Sequence, residues 1–155
     1  MVLAACAALA GCGEPTAARG GSLVVAMAAP TAAATRYPSD NAEWVLVPVD
    51  VTLRNAGTST IRVESCGPTA EHESSAGWQA ALGVLCDAVI PGYFQMTPGS
   101  ERTLTAHLAG HLSGPGAPQQ LDQVFAGRYR LVYRYGAGDT RILLEARSAP
   151  FDVTE

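Results

Sequence analysis

Lysine is absent from this sequence, and its ten cationic residues are all arginine. Charged residues make up only 15% of the chain, and the formal net charge is −4. Phosphate binding requires a clustered basic face, and no such cluster is present, so nucleic acid is not expected as a partner. The abundance of alanine, glycine and proline indicates a GC-rich genome. The arginines therefore predict no function by their number alone.

Motifs for catalysis are also missing. The chain has no G-x-S-x-G elbow, no HExxH motif and no Ser/His/Asp set of the kind that supports nucleophilic catalysis. Asp50, Glu64 and Glu145 fall on the wet faces of predicted strands and show no paired placement. We therefore expect a protein that is not an enzyme, with no catalytic residues and no cofactor.

A third absence is that of long apolar runs: beyond the first dozen residues, none approaches the roughly 20 residues that span a bilayer. Hydrophobic residues nonetheless make up 48% of the 155 residues, which is enough for one domain with a buried core. The chain has room for that domain and a short tether.

The first twelve residues form a short apolar segment that closes with Leu9-Ala10-Gly11-Cys12. This order of small residues before a cysteine resembles the lipobox of bacterial lipoproteins. The resemblance implies a signal peptide over residues 1–11, lipidation of the Cys12 thiol and cleavage just before it. It also implies a membrane-anchored protein of the bacterial cell envelope. The alternatives are an ordinary cleaved signal and a plain apolar N-terminus.

Two features surround this segment. No arginine precedes Arg19, although a secretory signal begins with a positive region, so we expect translation to start upstream of Met1. Residues 12–21 are small, polar and broken by Pro15 and by glycines, which is typical of a flexible tether. The domain is then expected over residues 22–155.

Four cysteines are present. Cys6 falls in the segment expected to be removed and Cys12 in the lipidation site, which leaves Cys66 and Cys86. An even pair in an exported chain predicts one structural disulfide. The alternative is a metal-binding or redox pair, although no CxxC spacing is present.

From Ser22 onward the hydrophobic period is two, and no segment has a convincing helical pattern. The clearest strand runs from Trp44 to Arg54, with Pro48 expected at an unpaired side or a bulge because it cannot donate to a ladder. Another runs from Arg128 to Tyr135. Seven to nine short strands with regular turn signals predict an all-β protein with a β-sandwich architecture. The other predicted strands are Ser22–Ala28, Thr60–Cys66, Gly77–Leu82, Tyr93–Met96, Thr103–Leu108, Thr140–Arg147 and Pro150–Val153.

Several short motifs follow one another in a recognisable order: Leu53–Gly57 (LRNAG), Gly77-Trp78, Thr97–Ser100 (TPGS), Gly127–Leu131 (GRYRL) and Ser148–Phe151 (SAPF). This order resembles bacterial immunoglobulin-like domains of cell-envelope lipoproteins, and more loosely their proteinase-inhibitor-like relatives. It implies an immunoglobulin-like antiparallel β-sandwich. Gly127-Arg128-Tyr129 resembles a tyrosine corner, in which the phenol bonds to nearby backbone. Cys66 and Cys86 depart from the antibody pattern, because they bracket Trp78 across a mid-domain loop.

The remaining candidates are polar side chains. His107 and His111 are four residues apart and His72 lies between two glutamates; we expect surface histidines, and the alternative is a metal site at His107 and His111. Arg128, Arg130 and Arg134 share one strand face, with Arg62 and Arg141 as possible neighbours. We expect a solvated face balanced by cross-strand acids; the alternative is a ligand-binding strip.

These features lead to one main hypothesis and two alternatives. The main hypothesis is a lipid-anchored envelope domain that acts as a non-enzymatic binding or structural module. Its partners would be the membrane, through the lipid, and an envelope protein that the sequence does not identify. The first alternative is a protease inhibitor that presents Gly67–Ala76 or Ala109–Gln120 as a surface loop. The second is a periplasmic metal carrier that uses the histidines.

Overall fold

The computed structural model describes residues 22–38, 43–84, 92–111, 126–137 and 144–155. All regular structure in these ranges is β, which confirms the all-β prediction. The strands are β1 (Leu23–Met27), β2 (Thr31–Ala33), β3 (Thr35–Pro38), β4 (Glu43–Asn55), β5 (Ile61–Glu64), β6 (Thr69–Ser74), β7 (Gly77–Val84), β8 (Tyr93–Met96), β9 (Glu101–His111), β10 (Gly127–Ala137), β11 (Leu144–Arg147) and β12 (Phe151–Thr154).

The predicted number of seven to nine strands was wrong, because the described residues form twelve. β2, β3 and β6 lie in segments for which the sequence predicted no strand. These strands are short, and they are rich in alanine, threonine or charged residues. They lack the apolar alternation by which a strand is recognised. Their positions are determined by the neighbouring strands with which they pair.

The strands form one curled sheet in the order β1-β4-β9-β7-β6-β10-β12-β2. β3 adds to β4, β5 and β11 add to β10, and β8 adds to β5. All pairs are antiparallel except β2 with β12, which is parallel. β7 connects the two halves, because it pairs with β6 along most of its length and with β9 at Gly83 and Val84.

Both halves of the sheet bury one face in a single hydrophobic core. β4 contributes its alternate residues from Val45 to Leu53, all of which are buried as predicted. β10 contributes Tyr129, Leu131, Tyr133 and Tyr135, which are also buried. A fully buried aliphatic or aromatic side chain stabilises a fold by about 1.5–3 kcal/mol, so these two long strands supply much of the stability.

Pro48 lies where β4 has no neighbour on one edge, as its missing N–H predicts. β3 pairs with residues 43–46 and β1 with residues 51–55. The amide of Ala28 donates to the carbonyl of Asp50 at 3.0 Å, so even-numbered residues of β4 direct their backbone groups to this edge. Between Ala28 and Thr35 the chain leaves β4 and pairs with β12 through β2. A proline at position 48 therefore breaks no ladder hydrogen bond.

Two turns meet beside the start of β1. Thr97–Ser100 is a turn closed by the Ser100 amide on the Thr97 carbonyl at 3.0 Å, with Gly99 at φ 74°, as Pro98 at its first corner predicts. In the other turn, which contains Gly57, that glycine does not have positive φ. A Cβ at position 57 would lie 2.3 Å from the Ser22 Cβ, so glycine is required there for close approach.

Candidate functional site

The outward side of β10 and its neighbours carries a group of charged side chains joined by ion pairs. We call this surface the arginine face: Arg128, Arg130, Arg134 and Arg147 with Glu71, Glu73, Glu145 and Trp78. β10 places Arg128, Arg130 and Arg134 at alternate positions, opposite to its buried tyrosines. The pairing of β10 with β6 and β11 sets Glu71 beside Arg130 and Glu145 beside Arg134.

Arg130 is held on two sides. Its Nε donates to Glu71 Oε2 at 2.6 Å, and its guanidinium carbon lies 4.4 Å from the centre of the Trp78 ring. The Arg130 and Glu71 side chains are only 23% and 20% exposed, so water screens this pair less than it screens the others. Charge-assisted hydrogen bonding and cation–π contact favour the same position of the guanidinium. Arg130 is therefore preorganised.

Glu71 also connects Arg130 to a second arginine. Arg147 Nε lies 3.8 Å from Glu71 Oε2, and Arg147 Nη2 donates to Glu145 Oε2 at 2.7 Å. The four side chains form a chain of alternating charge across β6, β10 and β11. A network of this kind restricts each side chain more than an isolated surface pair does.

The other two arginines of the face are held more loosely. Arg128 lies 3.8 Å from Glu73, and both side chains are well exposed, so this pair contributes little. No acid of the described residues forms an ion pair with Arg134, although Glu145 is its neighbour in register. The cross-strand acids expected opposite the arginines are thus present for Arg128 and Arg130. Arg141 lies outside the described residues, and Arg62 lies on β5 next to β8.

Chemically, this arrangement suits recognition. Tryptophan and arginine are enriched at the energetic centres of protein interfaces, and here they are stacked in advance. The face presents both signs of charge. It contains no hydroxyl or thiol nucleophile next to a base.

The predicted lipidation and disulfide residues fall largely outside the described structure. Cys12 and Cys86 lie outside the described residues, so lipidation of Cys12 and the Cys66–Cys86 bond stay predictions. Cys66 follows β5 directly, two residues after Glu64, and is half-buried. The adjoining Ser65 amide donates to the Gly92 carbonyl at 2.9 Å, which fixes this corner beside β8.

The histidines are not brought together. His107 and His111 both lie on β9, and four residues along a strand separate their Cα atoms by about 13 Å. His72 lies on β6, with its ring 4.9 Å from that of Tyr129. No group of three potential metal ligands occurs among the described residues.

The first loop proposed for protease inhibition is not a loop. Residues 69–74 form β6, which pairs with β10 on one side and β7 on the other, so Gly67–Ala76 was wrong as a presented loop. In the second candidate, Ala109–Gln120, residues 109–111 belong to β9. The rest of that segment lies outside the described residues.

Sequence reasoning overlooked two buried polar residues. Asn55 is completely buried; its Nδ2 donates to the carbonyls of Ser59 and Met96 at 2.8 and 2.9 Å, and its Oδ1 accepts from the Gly57 amide at 3.0 Å. Ser148 accepts from the Leu131 amide at 2.9 Å. An N-x-G sequence predicts a turn, but the contact with Met96 depends on a distant strand. Local sequence does not encode that contact.

The buried tyrosines also differ from expectation. The hydroxyls of Tyr129 and Tyr133 are buried without a hydrogen-bond partner, so the tyrosine corner predicted for Tyr129 is not formed. The Tyr135 hydroxyl is also buried and lies near the backbone of Leu23 and Ser22. The Tyr129 side chain points into the core beside Phe151 instead of back toward a corner. Burial raises the pKa of Tyr129 to about 12 and raises the pKa of Tyr133 further. Burial also raises the pKa of Tyr135, an effect partly opposed by nearby backbone of Leu23 and Ser22.

A small cavity of about 210 Å³ lies at the gap beside Pro48. The alanines of segment 28–33 line it, together with Thr31, Val49 and Asp50. The Asp50 carboxylate already accepts from the Thr105 hydroxyl at 2.5 Å. The cavity therefore offers few polar groups for orienting a ligand.

Comparisons with known proteins give little further information. No family model and no curated protein matches the sequence. A crystal structure of Northeast Structural Genomics Consortium target SoR45 is similar, with a TM-score of 0.48 and 15% identity. That similarity covers 86% of this chain and 87% of the other. Among the described residues, no helix is long and apolar enough to cross a membrane.

Proposed function

We propose that this chain is a lipid-anchored domain of the bacterial cell envelope, with an immunoglobulin-like fold, and that it acts as a non-enzymatic binding module. The arginine face is the observation that carries the binding role. Trp78 and Arg130 are stacked, and Glu71 fixes the guanidinium. Because these side chains are already held in place, their ordering costs less entropy when a partner binds than the ordering of mobile side chains would.

The anchor is supported by Leu9-Ala10-Gly11-Cys12 and by the polar segment that separates it from β1. In the same proposal, Cys66 and Cys86 form a disulfide that closes a loop of about 20 residues and stabilises the domain by about 3 kcal/mol. Mass measurement of the unreduced protein tests this bond. Two free thiols would contradict it.

Affinity capture from envelope extracts tests the binding role. The bait is the full chain, and the variant combines Trp78→Ser with Arg128→Glu, which alters the arginine face at Trp78 and at its most exposed ion pair. Arg54→Glu is the matched control, because Arg54 forms an exposed pair with Glu101 at 3.7 Å on a different strand pair. We expect a captured protein that is lost with the double variant and retained with the control.

Two outcomes would contradict the proposed binding role. One is capture that depends equally on Arg54 and on the arginine face, since that indicates nonspecific charge attraction. The other is capture that survives the double variant. Thermal unfolding of each variant shows whether a lost interaction reflects a lost fold.

A further inference from the structure

The point at which the chain enters the fold defines one end of the molecule. The Ala56 amide donates to the Ser22 carbonyl at 2.6 Å, and Leu23 pairs with Asn55 at the end of β4. The turn Thr97–Ser100 is attached to the same place, because the Gly99 amide donates to the Asn55 carbonyl at 2.9 Å. We call this the tether end: Ser22, Ala56–Thr60 and Thr97–Ser100.

The tether end is rigid and uncharged. Asn55 is buried beneath both turns, with its amide group fully hydrogen-bonded. No charged residue occurs in Ala56–Thr60 or Thr97–Ser100. Four charged residues lie within two positions of these segments: Arg54, Arg62, Glu101 and Arg102. Arg54 and Glu101 pair with each other at 3.7 Å, and Arg102 lies 4.4 Å from the Phe94 ring centre. The turns of the tether end themselves therefore present no charge to a membrane.

The opposite end lies at the far side of the long strands. β10 runs from Gly127, near the β6–β7 turn, to Ala137, which pairs with Ile61 beside the tether end. Its eleven residues span about 36 Å, and the thirteen residues of β4 span about 43 Å. Ser75 in the β6–β7 turn and Thr154 in β12 are exposed at that distant end.

The tether is short compared with these lengths. The ten residue steps from Cys12 to Ser22 reach at most about 35 Å when fully extended. A flexible linker of the same number of steps spans about 17 Å on average. Inverting the domain, so that the opposite end contacts lipid, would raise Ser22 by the length of the strands and would stretch the tether to or beyond its limit.

We infer that the tether end faces the lipid headgroups and that the opposite end is held away from the membrane. This inference rests on the proposed lipid anchor at Cys12. The arginine face then runs up the side of the molecule, from Arg134 on the membrane side to Arg128 on the outer side. Its residues stay accessible to a partner in the same compartment.

Energy transfer to labelled lipid tests this orientation. The acylated full chain is reconstituted in phosphatidylcholine vesicles that contain an acceptor on the headgroup, with a donor dye on one introduced cysteine. Thr58→Cys and Thr97→Cys place the dye at the tether end, whereas Ser75→Cys and Thr154→Cys place it at the opposite end. All four positions are exposed. The chain without an added cysteine gives the labelling background.

We expect roughly twofold or greater transfer from the two tether-end positions, because the mean tether span is less than half the length of β4. Equal transfer from both ends, or higher transfer from Ser75 and Thr154, would overturn the orientation. Flotation of the protein with the vesicles is measured in parallel. A chain that does not float lacks the anchor itself, and that failure is distinct from an anchored chain with the wrong orientation.

Discussion

Asn55 shows how one side chain can join parts of the chain that are far apart in sequence. Its amide group bonds to the Ser59 carbonyl in its own turn and to the Met96 carbonyl at the end of β8. Its backbone carbonyl also accepts from the Gly99 amide. Removing the side chain would leave the Met96 carbonyl without its partner in a buried place, and would leave the Ser59 carbonyl and the Gly57 amide without theirs in partly buried places.

We therefore expect Asn55→Ala to lower the free energy of unfolding by about 3 kcal/mol, since each unsatisfied buried polar group costs about 1–3 kcal/mol. Urea titration measures this change. Thr58→Ala, at an exposed position of the same turn, is the control and should change stability by less than about 0.5 kcal/mol. A loss for Asn55→Ala as small as that of the control would show that the Asn55 contacts are not formed.

The buried tyrosines determine how the protein responds to alkaline pH. Because burial raises the pKa of Tyr129 from 10.0 to about 12, the unfolded chain ionises first as pH rises. The stability that depends on this neutral phenol is present in full below pH 10, the pKa in the unfolded chain. It is lost as pH rises through the pKa of the folded protein. While only the unfolded form ionises, the loss for each phenol is about 1.4 kcal/mol per pH unit.

We expect Tyr133→Phe to keep or slightly increase stability at pH 7, because it removes a buried hydroxyl that has no partner. The variant should also lose less stability than the wild type between pH 9 and 11. Urea titrations at pH 7, 9, 10 and 11 measure both effects. A large loss at pH 7, or an unchanged alkaline slope, would contradict the burial of an unpartnered phenol at this position.

Among the elements, β6 carries two glutamates that face arginines in different settings. Glu71 contacts both Arg130 and Arg147 and is only 20% exposed. Glu73 lies 3.8 Å from Arg128, and that pair is open to solvent. Replacing each glutamate by glutamine therefore compares the stability contributed by a network of ion pairs with that contributed by one exposed ion pair.

We expect Glu71→Gln to destabilise the protein by about 1–2 kcal/mol, since it leaves two close arginines without their shared carboxylate. Glu73→Gln should cost less than about 0.5 kcal/mol. Urea unfolding at low and at moderate salt gives both values. Equal effects of the two substitutions would show that Glu71 has no special role on the arginine face.

Prediction of a strand from the sequence succeeded where the strand is long and one of its faces is buried. β4 and β10 were predicted because alternate residues are apolar over nine positions in Val45–Leu53 and over seven in Tyr129–Tyr135. β6 was missed because Glu71, His72 and Glu73 interrupt its alternation, and its position is determined by the strands on either side. Arg128, Arg130 and Arg134 were identified from β10 alone. Arg147 was not, because its placement depends on the pairing of β11 with β10. Glu71 and Trp78 were not, because their placement depends on the register of β6 and β7, which shifts between Ala70 and Glu71.

The whole molecule is an asymmetric domain. The end at which Ser22 enters the fold has no charged residue in its turns, the side carries the arginine face, and the opposite end carries the β6–β7 turn. Each of these placements follows from strand directions in a single sheet. In the proposed function, the use of these placements in the cell depends on Cys12, because without an anchor no end of the molecule is distinguished by a membrane.

The lipid anchor can be tested by the mass of the mature N-terminal peptide, taken from protein in a bacterial envelope fraction. We expect a chain that begins at Cys12 and carries a diacylglyceryl thioether with an acylated amino group. We also expect Cys12→Ser to abolish both the cleavage and the modification. A mature chain with an unmodified Cys12, or one that begins at another residue, would show that Cys12 is not the anchor.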